Sequence, residues 1–314
     1  GMGGQTVSFR LENEGTGMKK AIVTGASGLL GRAILKIFET DPEWEVTGLA
    51  KSRARGRLIC HDLLDAVATG ELLRRERPAV VIHSAAERRP DRCEGQPETT
   101  HALNVTATST ICEAARAVGA WTLFISTDYV FDGSRPPYAP DDAPHPLNAY
   151  GESKLAGEEA ALSVDPGNAV LRVPILYGEV EELEESAVTV IARSLLDPTP
   201  AKMDHWAIRR PTLVDDVGAA CLALARVCST SAQPCSGRWH FSGKEAMTKY
   251  DMAMAMGQAL DCDASHLQPD DQPPAGAARP RDCSLDCSGL DALVTIRPTP
   301  FGDKIGAILK PHLI

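Results

Sequence analysis

The chain has 314 residues, of which 43% are hydrophobic and 24% charged, and its formal net charge is -10. That length is enough for a sizeable core and more than one folding unit, and the composition is that of an ordinary soluble globular protein. The acidic balance excludes nucleic acid and anionic membrane as partners, because neutralising phosphates takes a basic face. No apolar run is long enough to span a bilayer, and no secretory leader pattern opens the chain.

Gly1 ahead of Met2 reads as an expression scar, and residues 3–17, polar and Gly-rich, as a loosely held arm. Residues 19–24 (KKAIVT) form a short apolar strand, followed by a Gly-rich turn and an apolar-faced helix over 29–38. A second strand covers 45–49 and a third 57–60; Leu72 and Leu73 sit on a helix that Pro78 ends. Residues 79–84 (AVVIHS) are near-continuously apolar, as befits a parallel strand covered on both faces. A helix over 104–118 is capped by Gly119, and a strand at 121–126, a helix at 150–162 and a strand at 169–173 follow. Beyond Pro174 the pattern changes. An acidic cluster at 179–185 opens a helix running through Val190, residues 212–227 are helical, and 238–241 form a short strand that returns to the main sheet. A helix covers 248–260, and the Pro-, Gly- and Ala-rich stretch 269–280 reads as an exposed loop.

Strands alternating with helices through the first half predict an α/β, Rossmann-type doubly wound parallel sheet with a smaller C-terminal α/β domain of the substrate-binding type. The organisation is an arm to residue 17, a nucleotide domain over 18–173, and a smaller domain over 174–314 interleaved with the sheet near 212–243. Nine cysteines, none in a C-x-x-C pair and without an export signal, point to a reduced, cytoplasmic setting. Cys221, Cys228 and Cys235 recur every seven residues, but two fall on a predicted helix as small apolar side chains, so no metal site is expected.

The turn Gly25-Ala-Ser-Gly28-Leu-Leu-Gly31 lies between a strand and a helix, where a dinucleotide's pyrophosphate sits. Gly25 permits the tight turn, Gly28 the close approach of the pyrophosphate, and Gly31 close helix packing; the helix N-terminus offers unpaired N–H groups and a positive dipole end. An acid ending the second strand would bond a ribose 2′-hydroxyl and repel a 2′-phosphate. Here that strand ends at Ala50 and Lys51, Arg53 and Arg55 follow, with Arg32 just past the glycine turn. This cluster predicts NADP(H), arginine gripping the 2′-phosphate through two parallel bonds.

Tyr150-Gly-Glu-Ser-Lys154 places a phenol and an ammonium on one helix face. The charge of Lys154 favours the phenolate, so that the phenol, ordinarily with a pKa of about 10, serves as a general acid near neutral pH. The G-x-x-G-x-x-G turn with this Y-x-x-x-K resembles the extended short-chain dehydrogenase/reductase family. The resemblance implies a catalytic set of Thr127, Tyr150 and Lys154, with Thr127 orienting a carbonyl. It also implies cofactor contacts from Ser27, Leu29, Leu30, Asp62, Leu63, Ala85, Ala86, Asn104, Pro174 and Leu176, besides Tyr150 and Lys154.

The string 126–133 (STDYVFDG), followed by 146–151 (PLNAYG), with Arg279-Pro280 and Ser284-Leu285-Asp286, resembles the dTDP-4-dehydrorhamnose reductase branch, from about residue 18 to the end. That branch reduces a 4-keto group on a nucleotide-linked deoxysugar. Five further segments, 85–91 (AAERRPD), 172–190 (RVPILYGEVEELEESAVTV), 203–206 (MDHW), 247–250 (MTKY) and 265–267 (SHL), resemble the β regulatory subunits of methionine adenosyltransferase. This closer likeness implies an NADP-binding subunit that tunes a catalytic partner making S-adenosylmethionine. Its members run past the equivalent of Pro311-His312-Leu313-Ile314 into a short basic-aromatic tail that docks into the catalytic subunit; this sequence ends there.

Two readings of function stand at this point: the regulatory subunit and an active NADPH-dependent keto-sugar reductase that takes a nucleotide-sugar-like molecule. His205 and Trp206 read equally as a grip on a sugar or base and as loop packing. Arg209 and Arg210 read as substrate-phosphate contacts or as partners of the acidic helix. Arg88 and Arg89, directly after the cofactor strand, lean toward a site role. Glu181, Glu182, Glu184 and Glu185 read as a solvated helix start rather than a cation site.

Overall fold

The computed structural model describes residues 17–52, 54, 56–85, 95–230 and 235–313. The seven-stranded sheet is built from β1 (Lys19–Thr24), β2 (Trp44–Ala50), β3 (Ile59–Cys60), β4 (Val80–His83), β5 (Trp121–Thr127), β6 (Ala169–Val173) and, after three short strands, β10 (Gly237–His240). Its order is β3-β2-β1-β4-β5-β6-β10 and every pairing is parallel. The direction of winding reverses between β1 and β4, so a crevice opens there beyond the carboxyl ends of the strands.

The central strands are apolar because both faces are covered: every residue of β4 and β6 is buried. One face packs on helix Leu29–Glu39, whose Leu30, Ile34 and Phe38 meet Val217, Cys221 and Leu224 of helix Val214–Thr230. The other packs on Leu72 and Leu73 of helix Ala66–Glu76, on Ile111, Cys112 and Ala115 of helix Ala107–Ala117, and on Ala161 of helix Ala149–Val164.

The smaller lobe has its own core of Tyr177, Leu183, Ile191, Leu195, Met252, Met256, Phe301 and Ile305. It carries β7 (Leu176–Tyr177) paired with β9 (Thr212–Leu213), and β8 (Ala201–Asp204) paired with β11 (Leu267–Asp270). Helices Ile191–Leu196, Lys249–Leu260 and Phe301–Leu309 complete it, whereas helix Ser288–Leu293 buries Leu290 in the core of the main sheet. Cys221 and Cys235 are buried and Cys228 half-buried; no group of metal-binding side chains gathers among the described residues. No helix among those residues is long and apolar enough to cross a membrane.

Four local expectations need correcting. The acidic stretch expected to open a helix over 179–190 instead makes a 3-10 turn at Leu183–Glu185, and the helix starts only at Ile191. Side chains take the backbone bonds a helix would have used: Glu185 accepts from the Glu181 and Glu182 N–H groups, and Ser186 Oγ from those of Val188 and Thr189. The helix expected from 104 begins at Pro97, and Ala102–Thr106, which includes Asn104, is a π-helical turn within it. The third strand is shortened to Ile59–Cys60. Residues 269 and 270, assigned to a loop, belong to β11.

Candidate functional site

The glycine turn sits over the sheet reversal. Gly25 has φ +62°, and a Cβ there would lie 2.9 Å from the backbone N and Cα of Ala85. A side chain at Gly31 would run into the Gly25 carbonyl. These glycines let the start of helix Leu29–Glu39 close down on the ends of β1 and β4. Gly28 is its N-cap, in extended conformation, and no side chain caps it. The first N–H groups of the helix therefore point outward as anion donors. Leu29 and Leu30 have buried side chains, so only their backbone faces the turn.

The close approach at Ala85 is pinned by a residue the sequence reading passed over. Thr24 Oγ1 accepts from Ser84 N (3.1 Å) and Ala85 N (3.2 Å), so its own proton goes to His83 Nδ1 at 2.7 Å. That assigns the His83 proton to Nε2, which donates to Thr108 Oγ1 at 3.0 Å; Thr108 in turn donates to the Asn104 carbonyl. Burial, and then the charge of Lys154, lower the His83 pKa to about 3, so the imidazole is a neutral strut. A histidine ending a buried strand opposite a threonine was the available signal.

The remaining positions fall around the same carboxyl edge. Asp62, after β3, accepts from Leu64 N and lies 3.6 Å from Lys51, both side chains exposed; Leu63 is buried. Ser27 Oγ donates to the Ser52 carbonyl, bridging the glycine turn to the end of β2. Asn104 donates to Ser153 Oγ at 2.8 Å, and its buried Oδ1 has no partner among the described residues. Pro174 and Leu176 follow β6, where the Leu176 carbonyl accepts from Ser186 Oγ. Arg53 and Ala86 lie outside the described residues, as do Arg88, Arg89 and the rest of 87–91.

Arg32 is placed differently from the reading that aimed it at a 2′-phosphate. Its guanidinium forms a two-pronged pair with Glu185, at 2.8 and 3.1 Å, and donates to the Ser27 carbonyl at 2.8 Å. It thus ties the glycine turn to the acidic turn of the smaller lobe.

Tyr150, Lys154 and Glu158 share the buried face of helix Ala149–Val164. Tyr150 meets the Tyr129 ring edge-on at 6.0 Å. Lys154 Nζ donates to the Ile125 carbonyl at 2.6 Å and lies 4.4 Å from the centre of the Phe124 ring. Glu158 is sealed in, accepting from Ser126 Oγ, from Arg172 Nε and Nη2, and from Arg238 Nε. Burial pushes its carboxyl up, but the bonds and charge of Arg172, with Ser126 and Arg238, outweigh that and hold it below the usual range.

Thr127, at the end of β5, accepts from Tyr129 N and donates to Asp128 Oδ1. Burial raises the Asp128 carboxyl to about 6 despite the opposing charge of Arg209. Asp128 was not singled out, although it directly follows the strand-terminal threonine. Arg209 is buried and donates to the Pro280 and Arg281 carbonyls and to the Tyr129 hydroxyl. Arg210 reaches Ser284 Oγ and the Lys244 carbonyl. Among the described residues neither arginine pairs with the acidic segment, which instead holds Arg32 through Glu185 and Arg193 through Glu184; that expectation is corrected. His205 and Trp206 line a cleft of about 270 Å³ with Ile208, Met247, Asp251 and Arg281, and the Thr248 hydroxyl bonds His205 Nδ1 at 2.8 Å.

This arrangement has the parts to seat a dinucleotide: an uncapped helix N-terminus, two glycines that no side chain could replace, and a lysine and tyrosine on one buried helix face. A model of the RmlD substrate binding domain family matches residues 18–313. The methionine adenosyltransferase 2 subunit beta of Mus musculus is 46% identical over 300 residues, covering 94% of this chain and 89% of its own. A dTDP-4-dehydrorhamnose reductase of Aggregatibacter actinomycetemcomitans is 28% identical over 76% of this chain and 78% of its own. Among solved structures, the dTDP-4-dehydrorhamnose reductase of Bacillus anthracis in complex with NADP superposes with a TM-score of 0.80 at 23% identity, covering 94% of this chain and 98% of that one.

Proposed function

The chain belongs to the RmlD substrate binding domain family and, within it, to the methionine adenosyltransferase 2 beta subunits, and from that premise we propose that it is an NADP(H)-binding regulatory subunit of a methionine adenosyltransferase. The observation that carries the proposal is the 46% identity over 94% of the chain, against 28% over 76% for a reductase. Such likeness includes the smaller lobe, whose strings at 203–206 and 247–250 a dinucleotide does not require. The partner is the catalytic subunit that makes S-adenosylmethionine, and the setting is cytoplasmic. A stable interface of this kind buries roughly 1,200–2,000 Å², so the body of the chain contributes contacts of its own.

The test is to mix the chain with a methionine adenosyltransferase catalytic subunit at micromolar concentration with NADP+ present, and to follow size-exclusion elution and the kinetics for methionine. Joint elution and altered kinetics are expected. Separate elution with kinetics unchanged by the chain overturns the regulatory reading.

The glycine turn, Lys51, Arg53, Asp62, Tyr150 and Lys154 would hold the cofactor. A second reading is kept alive by the presence of Thr127 at the end of β5 with Tyr150 and Lys154 on one helix face. When bound, the cofactor supplies a hydride to a substrate carbonyl carbon. Tyr150 would give its phenol proton to the carbonyl oxygen as charge develops there, Lys154 would favour the resulting phenolate, and Thr127 would orient the carbonyl. The substrate would be a 4-keto-sugar nucleotide.

A further inference from the structure

Both terminal nitrogens of Arg32 are fully committed. Nη1 donates to Glu185 Oε2 and to the Ser27 carbonyl, each at 2.8 Å; Nη2 donates to Glu185 Oε1 at 3.1 Å and to the Glu179 carbonyl at 3.4 Å. A guanidinium has five N–H groups, four of them on these nitrogens, so no second fork is left over. Ser27 is part of the glycine turn, and Arg32 stands in the first turn of the uncapped helix. The guanidinium therefore lies against the backbone that would meet the phosphates. Glu185 is equally bound up: its side chain is 11% exposed and Oε1 also accepts from the N–H groups of Glu181 (2.6 Å) and Glu182 (3.4 Å). Burial pushes its carboxyl up, yet the bonds from Arg32, the backbone donors and the Arg32 charge hold it below the ordinary value.

A phosphate offers the Arg32 fork what a carboxylate offers, two anionic oxygens in the plane of two N–H bonds, and a phosphomonoester does so with more charge. We propose that Glu185 is a built-in rival for a cofactor phosphate: it holds the Arg32 fork, and a phosphate seated at the glycine turn takes the fork over and frees the acidic turn 179–186. Glu185 thereby sets cofactor affinity without being a ligand, and occupancy is reported on the surface of the smaller lobe. This rests on the cofactor reading above. The phosphate is either the pyrophosphate, common to both nicotinamide dinucleotides, or the 2′-phosphate found only in NADP+.

The test joins calorimetry of NADP+ and NAD+ with amide hydrogen exchange over 179–186, on the full chain and on Glu185→Gln. Saturating NADP+ is expected to speed exchange at Glu181 and Glu182 in the parent, as their N–H groups lose the carboxylate. Glu185→Gln is expected to bind NADP+ roughly five-fold more tightly, the equivalent of losing one modest ion pair, and its exchange should no longer respond. An equal gain for NAD+ assigns the pyrophosphate; a gain confined to NADP+ assigns the 2′-phosphate. Unchanged or slowed exchange in the parent overturns the proposal, as does unchanged or weakened NADP+ affinity in a folded variant. Should the variant not fold, exchange in the parent decides alone. Failure of both nucleotides to bind the parent removes the cofactor reading itself, and this proposal with it.

Discussion

The hydroxyl of Thr127 lies 3.2 Å from the carboxylate of Asp128 and accepts from Tyr129 N, and because an ionised carboxylate can only accept, the threonine proton goes to the aspartate. The residue that would orient a carbonyl is thus governed by its chain neighbour. While Asp128 is ionised, Thr127 offers a ligand only a lone pair; once Asp128 is protonated, the threonine proton is released for donation.

The first prediction concerns that carboxyl. Burial raises it to about 6, with Arg209, Thr127 and backbone donors opposing. The unfolded value is about 3.9, so between these limits the folded chain binds more protons and stability falls as pH rises. The loss from this group is about 3 kcal/mol, complete above pH 6. Asp128→Asn cannot ionise, so the variant should gain on the parent between pH 4 and 7. Denaturant unfolding across that range checks it; a constant difference would show that Asp128 does not titrate there.

The second concerns Glu158, whose buried partner Arg172 is paired at 2.7 Å. Glu158→Ala strands a guanidinium in the core and should cost about 3–5 kcal/mol. In the parent the depressed carboxyl contributes stability above the unfolded pKa, and this is lost as pH falls through the folded one. A urea midpoint within error of the parent's would exclude a structural role for the cluster.

The third concerns cofactor choice. NADP+ should bind more tightly than NAD+, and Lys51→Ala with Arg53→Ala should weaken NADP+ by about ten-fold, or ~1.4 kcal/mol, while sparing NAD+. The exposed contact between Lys51 and Asp62 offers little resistance to recruiting the lysine. Equal affinities in the parent by calorimetry would sink the NADP preference.

The fourth separates the two functional readings. If a 4-keto-sugar nucleotide is turned over, Tyr150→Phe should lower kcat by about 10²–10⁴ while NADPH affinity falls by no more than about five-fold, since losing one hydrogen bond to the cofactor costs far less than losing the proton given to the carbonyl oxygen. Turnover that survives in the variant would remove Tyr150 from the mechanism.

How far the sequence reveals this molecule depends on how local each signal is. β4 and β6 are legible because strands buried on both faces are apolar throughout, and the glycine turn because only glycine satisfies its geometry. β8 and β11 each bury a single residue fully, so neither alternates, and Pro269 argues against a strand until its edge position is known. The last helix did carry a signal, with Phe301, Ile305, Ile308 and Leu309 on one buried face. Arg32 illustrates the harder case. Its basic neighbours after β2 suggest a phosphate, whereas the carboxylate that holds it stands 153 residues further along the chain. An acidic run suggests a helix start because negative charge is favourable near a helix N-terminus; that Glu185, Ser186 and Thr189 each claim backbone bonds emerges only in three dimensions.

The pairing of β10 with β6 shapes how the chain comes off the ribosome. β6 is synthesised well before the strand that covers it, and until residues 237–240 emerge its outer N–H and C=O groups form an open template for any passing strand. Arg172 waits on the same segment, since Arg238 and His240 close its surroundings only when β10 docks. On its β6 side the larger lobe therefore has no finished edge of its own. A fragment ending at Val173 should aggregate rather than fold, and heat should melt the intact chain in one transition, because the sheet cannot be taken apart without unthreading the smaller lobe.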